Sequence, residues 1–331
     1  MGMKRSYYIM KSGRIRRKDN TVFFESDGDK KVIPINDIDD MYIMGEVDFN
    51  SKALNFLGKN KVMIHIFDYY GNYSGSFYPK EYLLSGFTIV KQVEKYLNPE
   101  PRLQIAKEFI RGASFNILKN LKYYQNRKGN LEQIIEFIEI ERERIGQARD
   151  IQHLMSIEGR IREIYYRAFD IITDNKFPFV QRIKHPPDNA MNAMISFGNH
   201  LMYTAILREI YQTQLNPTVS YLHEPGARRF SLALDISEIF KPIIVDRVIF
   251  SLINQNIITE EDFAEELNYC YLNETGRKKF IKAFDEKMTS TIQHRKLNKT
   301  MSYKTLIQIE CYKLIKHLTD IEEYEAFQAW W

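Results

Sequence analysis

Cysteine is almost absent from this chain: its 331 residues include only Cys270 and Cys311, far apart in stretches of helical periodicity. That argues against a disulfide framework or a zinc knuckle and fits a reducing compartment, so a cytoplasmic location is expected. Long apolar runs are missing as well. No stretch approaches the roughly 20 apolar residues of a membrane span, and the N-terminus has no secretory apolar core. No membrane association is therefore expected. Excess charge is small, a formal net +4, so charge alone does not signal a nucleic-acid partner. No repeat with a period of roughly 20 to 50 residues recurs, which excludes a solenoid.

What is present describes an ordinary globular protein. Hydrophobic residues make up 44% and charged residues 27% of the chain, and the length suits about two domains. The first ninety or so residues read as β structure. Short segments rich in Tyr, Val, Phe and Ile alternate with turn signals such as Asp19-Asn20 and Ser26-Asp27-Gly28-Asp29. Val62 to Asp68 is a near-continuous apolar run, the mark of a buried strand. At Leu97-Asn98-Pro99-Glu100-Pro101 the character changes, and helical periodicity then runs almost to the end. The expectation is an α+β fold: a small β-sandwich-like domain over residues 1–96, followed by a larger all-α domain over 97–331. Short strands that cannot hide every apolar face alone make the first domain a candidate homodimer contact, with Val62 to Phe67 as contributor.

Two constellations carry chemistry. In the segment Tyr221–Pro242, His223 precedes the turn signal Pro225-Gly226. Phe230, Leu232 and Leu234 alternate, and helical spacing begins at Ile236 and runs to Gln255. Asp235 and Glu238 are i,i+3 and share a helix face. An imidazole with carboxylates can hold a divalent cation, and Arg228-Arg229 could neutralise a phosphate beside it. The plainer reading makes Asp235 and Glu238 a capping box. The second constellation lies on the helix expected from Ile151, where Glu158 falls on the apolar stripe. A carboxylate on that face requires a partner: either a metal or an i,i+4 ion pair with Arg162. Gly159 beside it suits a close approach to the backbone. Between the two constellations, Asn192 and Ser196 are i,i+4 on a helix started by Asp188 or Asn189. Basic residues at Arg277-Lys278-Lys279 and His294 to Lys299 could line a DNA groove.

Glu158-Gly159 with Tyr165-Tyr166, the Pro186-Pro187-Asp188 to Gly198 block, and the Leu222-His223 to Pro242 block occur in one order. Together they resemble the CRISPR-associated integrases of spacer acquisition, the first and most widespread of the Cas protein families. The resemblance covers nearly the whole chain. It implies Glu158, His223 and Glu238 as ligands of a divalent metal, Mg²⁺ or Mn²⁺, with Asp235 in support; Arg228, Arg229 and Lys241 are the candidates at the DNA. It further implies a metal-dependent endonuclease and integrase that inserts short fragments into a CRISPR array by 3′-hydroxyl attack on a phosphodiester. The implied partners are double-stranded and branched DNA, a second copy of the chain and a small ferredoxin-like second Cas protein. Two departures stand out: Lys241 occupies a place where arginine is common, and Ile161-Arg162 are bulkier than the small residues often found after the glutamate. The alternative from another class is a non-catalytic DNA-binding scaffold whose acidic residues are caps and salt bridges.

Overall fold

The computed structural model describes residues 4–330 apart from 185, 227–229, 267–268 and 295–297. It divides into two units, Met1–Tyr82 and Leu83–Trp331.

The first unit contains strands β1 (Arg5–Ile9), β2 (Gly13–Lys18), β3 (Thr21–Ser26), β4 (Asp29–Pro34), β5 (Ile38–Ile43) and β6 (Val47–Phe49). Helix α1 (Ser51–Lys59), β7 (Met63–Phe67) and β8 (Tyr73–Phe77) complete it. The strands form two four-stranded sheets, ordered β1-β5-β7-β8 and β4-β3-β2-β6. The turn signals act where they were read: Asp27 and Gly28 both take positive φ between Ser26 and Asp29, as a type I′ hairpin turn requires. Ile9, Met41, Ile43 and Ile64 from the first sheet share one core with Ile15, Val22 and Ile33 from the second and Leu57 from α1. The run expected to contribute to a homodimer is instead an internal strand. β7 lies between β5 and β8, and Val62, Met63, Ile64 and Phe67 are buried in this unit, while Ile66 stays exposed.

The second unit holds α2 (Gly86–Leu97), α3 (Pro99–Lys128), α4 (Glu132–Arg144), α5 (Ile151–Ile172), α6 (Ala190–Tyr211), α7 (Ser231–Phe240), α8 (Arg247–Asn254), α9 (Glu274–Thr289) and α10 (Tyr303–Leu318). Two short hairpins, which helical periodicity did not reveal, join them: β9 (Phe263–Glu266) with β10 (Tyr269–Leu272), and β11 (Thr291–His294) with β12 (Lys299–Ser302). The boundary expected after residue 96 falls earlier, and α2 belongs to this unit. Buried Gln92 donates to the carbonyls of Asn216 at 2.9 Å and Val219 at 2.8 Å. The Pro99 signal marks a helix start one residue after α2 rather than a linker, with proline in the first turn where its missing N–H costs nothing. Side-chain caps fix the site-bearing helices: Asp150 accepts from the His153 amide, and Asn189 from the Asn192 amide.

α6 is apolar nearly all round and is buried along almost its whole length. Against it lies the segment expected as one helix from Ile236 to Gln255. Helix in fact begins at Ser231, just after Phe230, so Leu232 and Leu234 are helical; three alternating positions do not separate the two periods. The segment also breaks once. Pro242 cannot donate a backbone hydrogen bond, and Pro242–Asp246 forms a π-turn in which the Asp246 amide reaches back to the Lys241 carbonyl at 3.1 Å.

Candidate active site

His223 is held by its neighbour across the loop. Asp235, fully buried on α7, accepts the backbone N–H groups of Tyr221 (2.7 Å), Leu222 (3.0 Å) and His223 (3.0 Å). The same carboxylate meets His223 Nδ1 at 2.8 Å. An ionised carboxylate can only accept, so the shared proton rests on Nδ1; in a neutral ring this leaves the lone pair on Nε2. Asp235 therefore orients the loop and the ring, and the capping-box reading fails because this residue sits inside the helix rather than before it. Arg102 on α3 braces the loop from outside. It donates to the Tyr221 carbonyl at 3.0 Å and to Glu224 at 2.6 Å, and that pairing holds the Glu224 carboxyl below its ordinary value.

Glu238 lies one turn beyond Asp235, and Glu158 comes from α5. Arg162 joins them: its Nε donates to Glu158 Oε1 at 2.6 Å, and its other end is ion-paired with Glu238. Lys241 donates to Glu238 Oε1 at 2.6 Å. The i,i+4 pair considered for Glu158 exists, but it is half of a bridge between two helices. Glu158 itself sits half-buried at the edge of the α5 apolar stripe, not within it; Leu154, Ile157 and Ile161 fill that stripe. Gly159 faces open space, so no described residue requires its missing side chain.

Beside this bridge lies one charge that sequence reasoning missed, Asp246. Asp246 is 4% exposed, and its Oδ2 has no hydrogen-bond partner among the described residues. Burial pushes its carboxyl up to about 6, although Arg162, Tyr165 and Lys241 act to lower it. Burial and the neighbouring Arg162 push Lys241 down to about 7 against the pull of Glu158 and Asp246. Arg162 is held above its ordinary value: burial opposes its charge, but Glu158, Tyr166 and Asp246 outweigh that. Asn120 knits the π-turn to its surroundings, donating to Tyr165 Oη at 3.3 Å and to the Pro242 carbonyl, and accepting from Arg247 at 2.7 Å. Pro242 signalled the break that carries Asp246, but nothing in the sequence signalled that this carboxylate is buried. Nothing in the sequence marked Arg162 as a bridge to Glu238, because that partner is 76 residues away.

Asn192 and Ser196, the i,i+4 pair on α6, both accept from Arg182 at 2.9 Å. Lys184 is exposed nearby, and desolvation, Arg182 and Lys241 keep its ammonium below its ordinary value. Of the residues expected at DNA, Arg228 and Arg229 lie outside the described residues. Arg277 is a correction: it is buried on the inward stripe of α9 with Phe280, Ile281 and Phe284, a spacing that places it inside rather than on a groove wall. Lys278 stays on the outer face, paired with Glu274 at 2.6 Å. Lys279 reaches back to buried Asp262 at 2.6 Å and 2.8 Å.

Among the described residues, no three His, Cys, Asp or Glu side chains are gathered as a ready cation cage. What is gathered is a pair of carboxylates from α5 and α7 on one guanidinium, with His223 fixed to the same helix through Asp235. Carboxylate and imidazole are nonetheless donor types that suit Mg²⁺ or Mn²⁺.

The family profile described as CRISPR associated protein Cas1 matches residues 7–286. The chain belongs to the Cas1 family. A relative from Thermodesulfovibrio yellowstonii, named CRISPR-associated endonuclease Cas1 3, is 52% identical over 328 residues, covering 99% of this chain and 100% of its own. The structure of a Cas1 protein from Thermotoga maritima is similar over 98% of this chain and 100% of its own, with 39% identity and a TM-score of 0.88. A casposase bound to integration product shares the fold at a TM-score of 0.89 and 22% identity, over 98% of this chain and 93% of its own. Among the described residues, no helix is long and apolar enough to cross a membrane.

Proposed function

We propose that this protein is a metal-dependent DNA endonuclease and integrase that inserts short DNA fragments into a CRISPR array in the cytoplasm. The observation that carries this reading is the convergence of Glu158 and Glu238 on one cation, in a Cas1 chain half identical to a protein named as an endonuclease. Glu158, Glu238 and His223 Nε2 would hold Mg²⁺ or Mn²⁺, with Asp235 fixing the imidazole through Nδ1. When bound, that ion supplies charge stabilisation at a phosphoryl oxygen and at the attacking or leaving oxygen.

The reaction is a transesterification. A 3′-oxygen forms a bond to phosphorus while another 3′-oxygen leaves, so the number of bonds is conserved and no ATP is consumed. The chain's own residues position the strand and offset charge. Lys184 and Lys241 lie beside the carboxylates, and Arg228 and Arg229 are proposed to neutralise the phosphate. Lys278 presents an outward charge to the DNA backbone. The working assembly is proposed to be a homodimer with a small ferredoxin-like second Cas protein.

One observation favours the non-catalytic scaffold reading: both carboxylates are already neutralised by Arg162 and Lys241. Incubating the full chain and its second Cas protein with a labelled 3′-hydroxyl fragment, a repeat-containing duplex and Mn²⁺ separates the readings. Joined product supports integration. Degradation without joining indicates a general nuclease, and DNA binding without either reaction indicates a scaffold.

A further inference from the structure

A cation already sits where two of the proposed metal ligands converge, and the chain supplies it. Arg162 engages Glu158 with one nitrogen and Glu238 with another, so it occupies carboxylate oxygens that a divalent ion would need. An ion that binds there must displace a guanidinium from at least one of them. The displaced group would be a buried charge and would need another anion within reach.

Such an anion is present. Asp246 lies in the π-turn that follows α7, is 96% buried by its 4% exposure, and has Oδ2 without a hydrogen-bond partner among the described residues. Arg162 and Lys241 are near enough for their charges to be felt at Asp246, and the Tyr165 hydroxyl hydrogen-bonds this carboxylate while Oδ2 stays without a donor among the described residues. A buried carboxylate oxygen without a donor is unfavourable, and it becomes intelligible if a donor arrives in another state. Arg162 hangs from α5 by a long flexible arm, so it can change partners by side-chain rotation while the helices stay in place. Lys241 would remain on Glu238 throughout.

We infer that Arg162 is a resident competitor for the divalent ion, and that Asp246 is the positioning residue that receives it when the ion binds. This rests on the proposed metal site. Without metal, Arg162 neutralises two carboxylates that would otherwise repel each other. With metal, it passes to Asp246, and the protein avoids leaving a buried arginine unpaired.

The test is Mn²⁺ affinity of the full chain, measured from the electron paramagnetic resonance signal of free Mn²⁺. Wild type, Arg162→Gln, Arg162→Lys, Asp246→Asn, the Arg162→Gln/Asp246→Asn double variant and Glu158→Gln are compared. Removing the competing charge from Arg162 should tighten Mn²⁺ binding by about tenfold or more. Asp246→Asn should weaken binding, and that weakening should vanish in the Arg162→Gln background, since no arginine then remains to be received. Arg162→Lys should fall between wild type and Arg162→Gln, because one ammonium cannot span both carboxylates as the guanidinium does. Melting without metal should be lower for Arg162→Gln than for wild type, with a larger rise on adding Mn²⁺; this also shows that the variant folds. If Glu158→Gln removes Mn²⁺ binding but Arg162→Gln leaves it unchanged or weaker, the competitor is refuted while the metal site stands. If Asp246→Asn weakens binding equally with and without Arg162, the receiving role is refuted. If Mn²⁺ binding is absent from wild type and Arg162→Gln alike, or survives Glu158→Gln, the metal site itself falls and this inference with it.

Discussion

Asp235 takes three backbone N–H groups and one imidazole from a single loop, and it does so from a fully buried position. Removing it leaves those donors without a partner, at about 1–3 kcal/mol for each buried group left unsatisfied. Asp235→Ala should therefore lower the melting temperature markedly and detach His223, whereas His223→Ala should change melting little. Equal melting of wild type and Asp235→Ala would show that the loop is held by something else. At this scale the sequence was partly legible. Glu158, His223 and Glu238 stood out because each is a polar group in an apolar pattern or beside a turn. Asp246 did not, and Arg162 was legible only as the i,i+4 partner of Glu158, because their further contacts run between α5, α7 and the π-turn, which no local spacing encodes.

The helices that carry the site are set by close approach and by the break at Pro242. A Cβ on Gly198 of α6 would lie 2.5 Å from Val245 in the π-turn and 2.9 Å from the Phe280 ring, so Gly198→Ala must push the turn away from α6. Overpacking of this kind costs about 1–3 kcal/mol, and a thermal melt alongside the joining assay should register a loss in both; wild-type melting would show that the turn yields freely. On α9, Lys287 donates to Tyr303 at 3.0 Å, and burial with Arg247 brings its ammonium down to about 8. Between about pH 8 and the ordinary lysine value near 10.4, the unfolded chain binds a proton at this position that the folded protein does not, so stability gains from rising pH there. Lys287→Met should flatten that rise in melting temperature, and an unchanged slope would assign it to other groups. The starts of α5 and α6 were read where the structure has them, but that of α7 was placed five residues late. The hairpins β9–β10 and β11–β12 were not read, since four-residue strands within helical surroundings leave too little period to detect.

For the molecule as a whole, the α+β layout followed from composition and period, but the division between units did not. A proline pair starts a helix as readily as it marks a linker, and only α2's burial against its own unit decides between them. DNA affinity should fall linearly with salt on logarithmic axes, and Lys278→Glu should make that slope shallower; an unchanged slope removes Lys278 from the footprint. Lys279→Glu is a poorer probe, because it strands buried Asp262 without its cation. The account rests most heavily on Glu158, Glu238 and His223 sharing one metal. Alanine at each position is to be tested for Mn²⁺-dependent joining of a labelled 3′-hydroxyl fragment to a repeat-containing duplex, with thermal melts in parallel. The account predicts that each variant stays folded and loses joining, and that double and triple variants lose no more than single ones, because one missing ligand already disables the site. Joining at the wild-type rate by folded His223→Ala would contradict it.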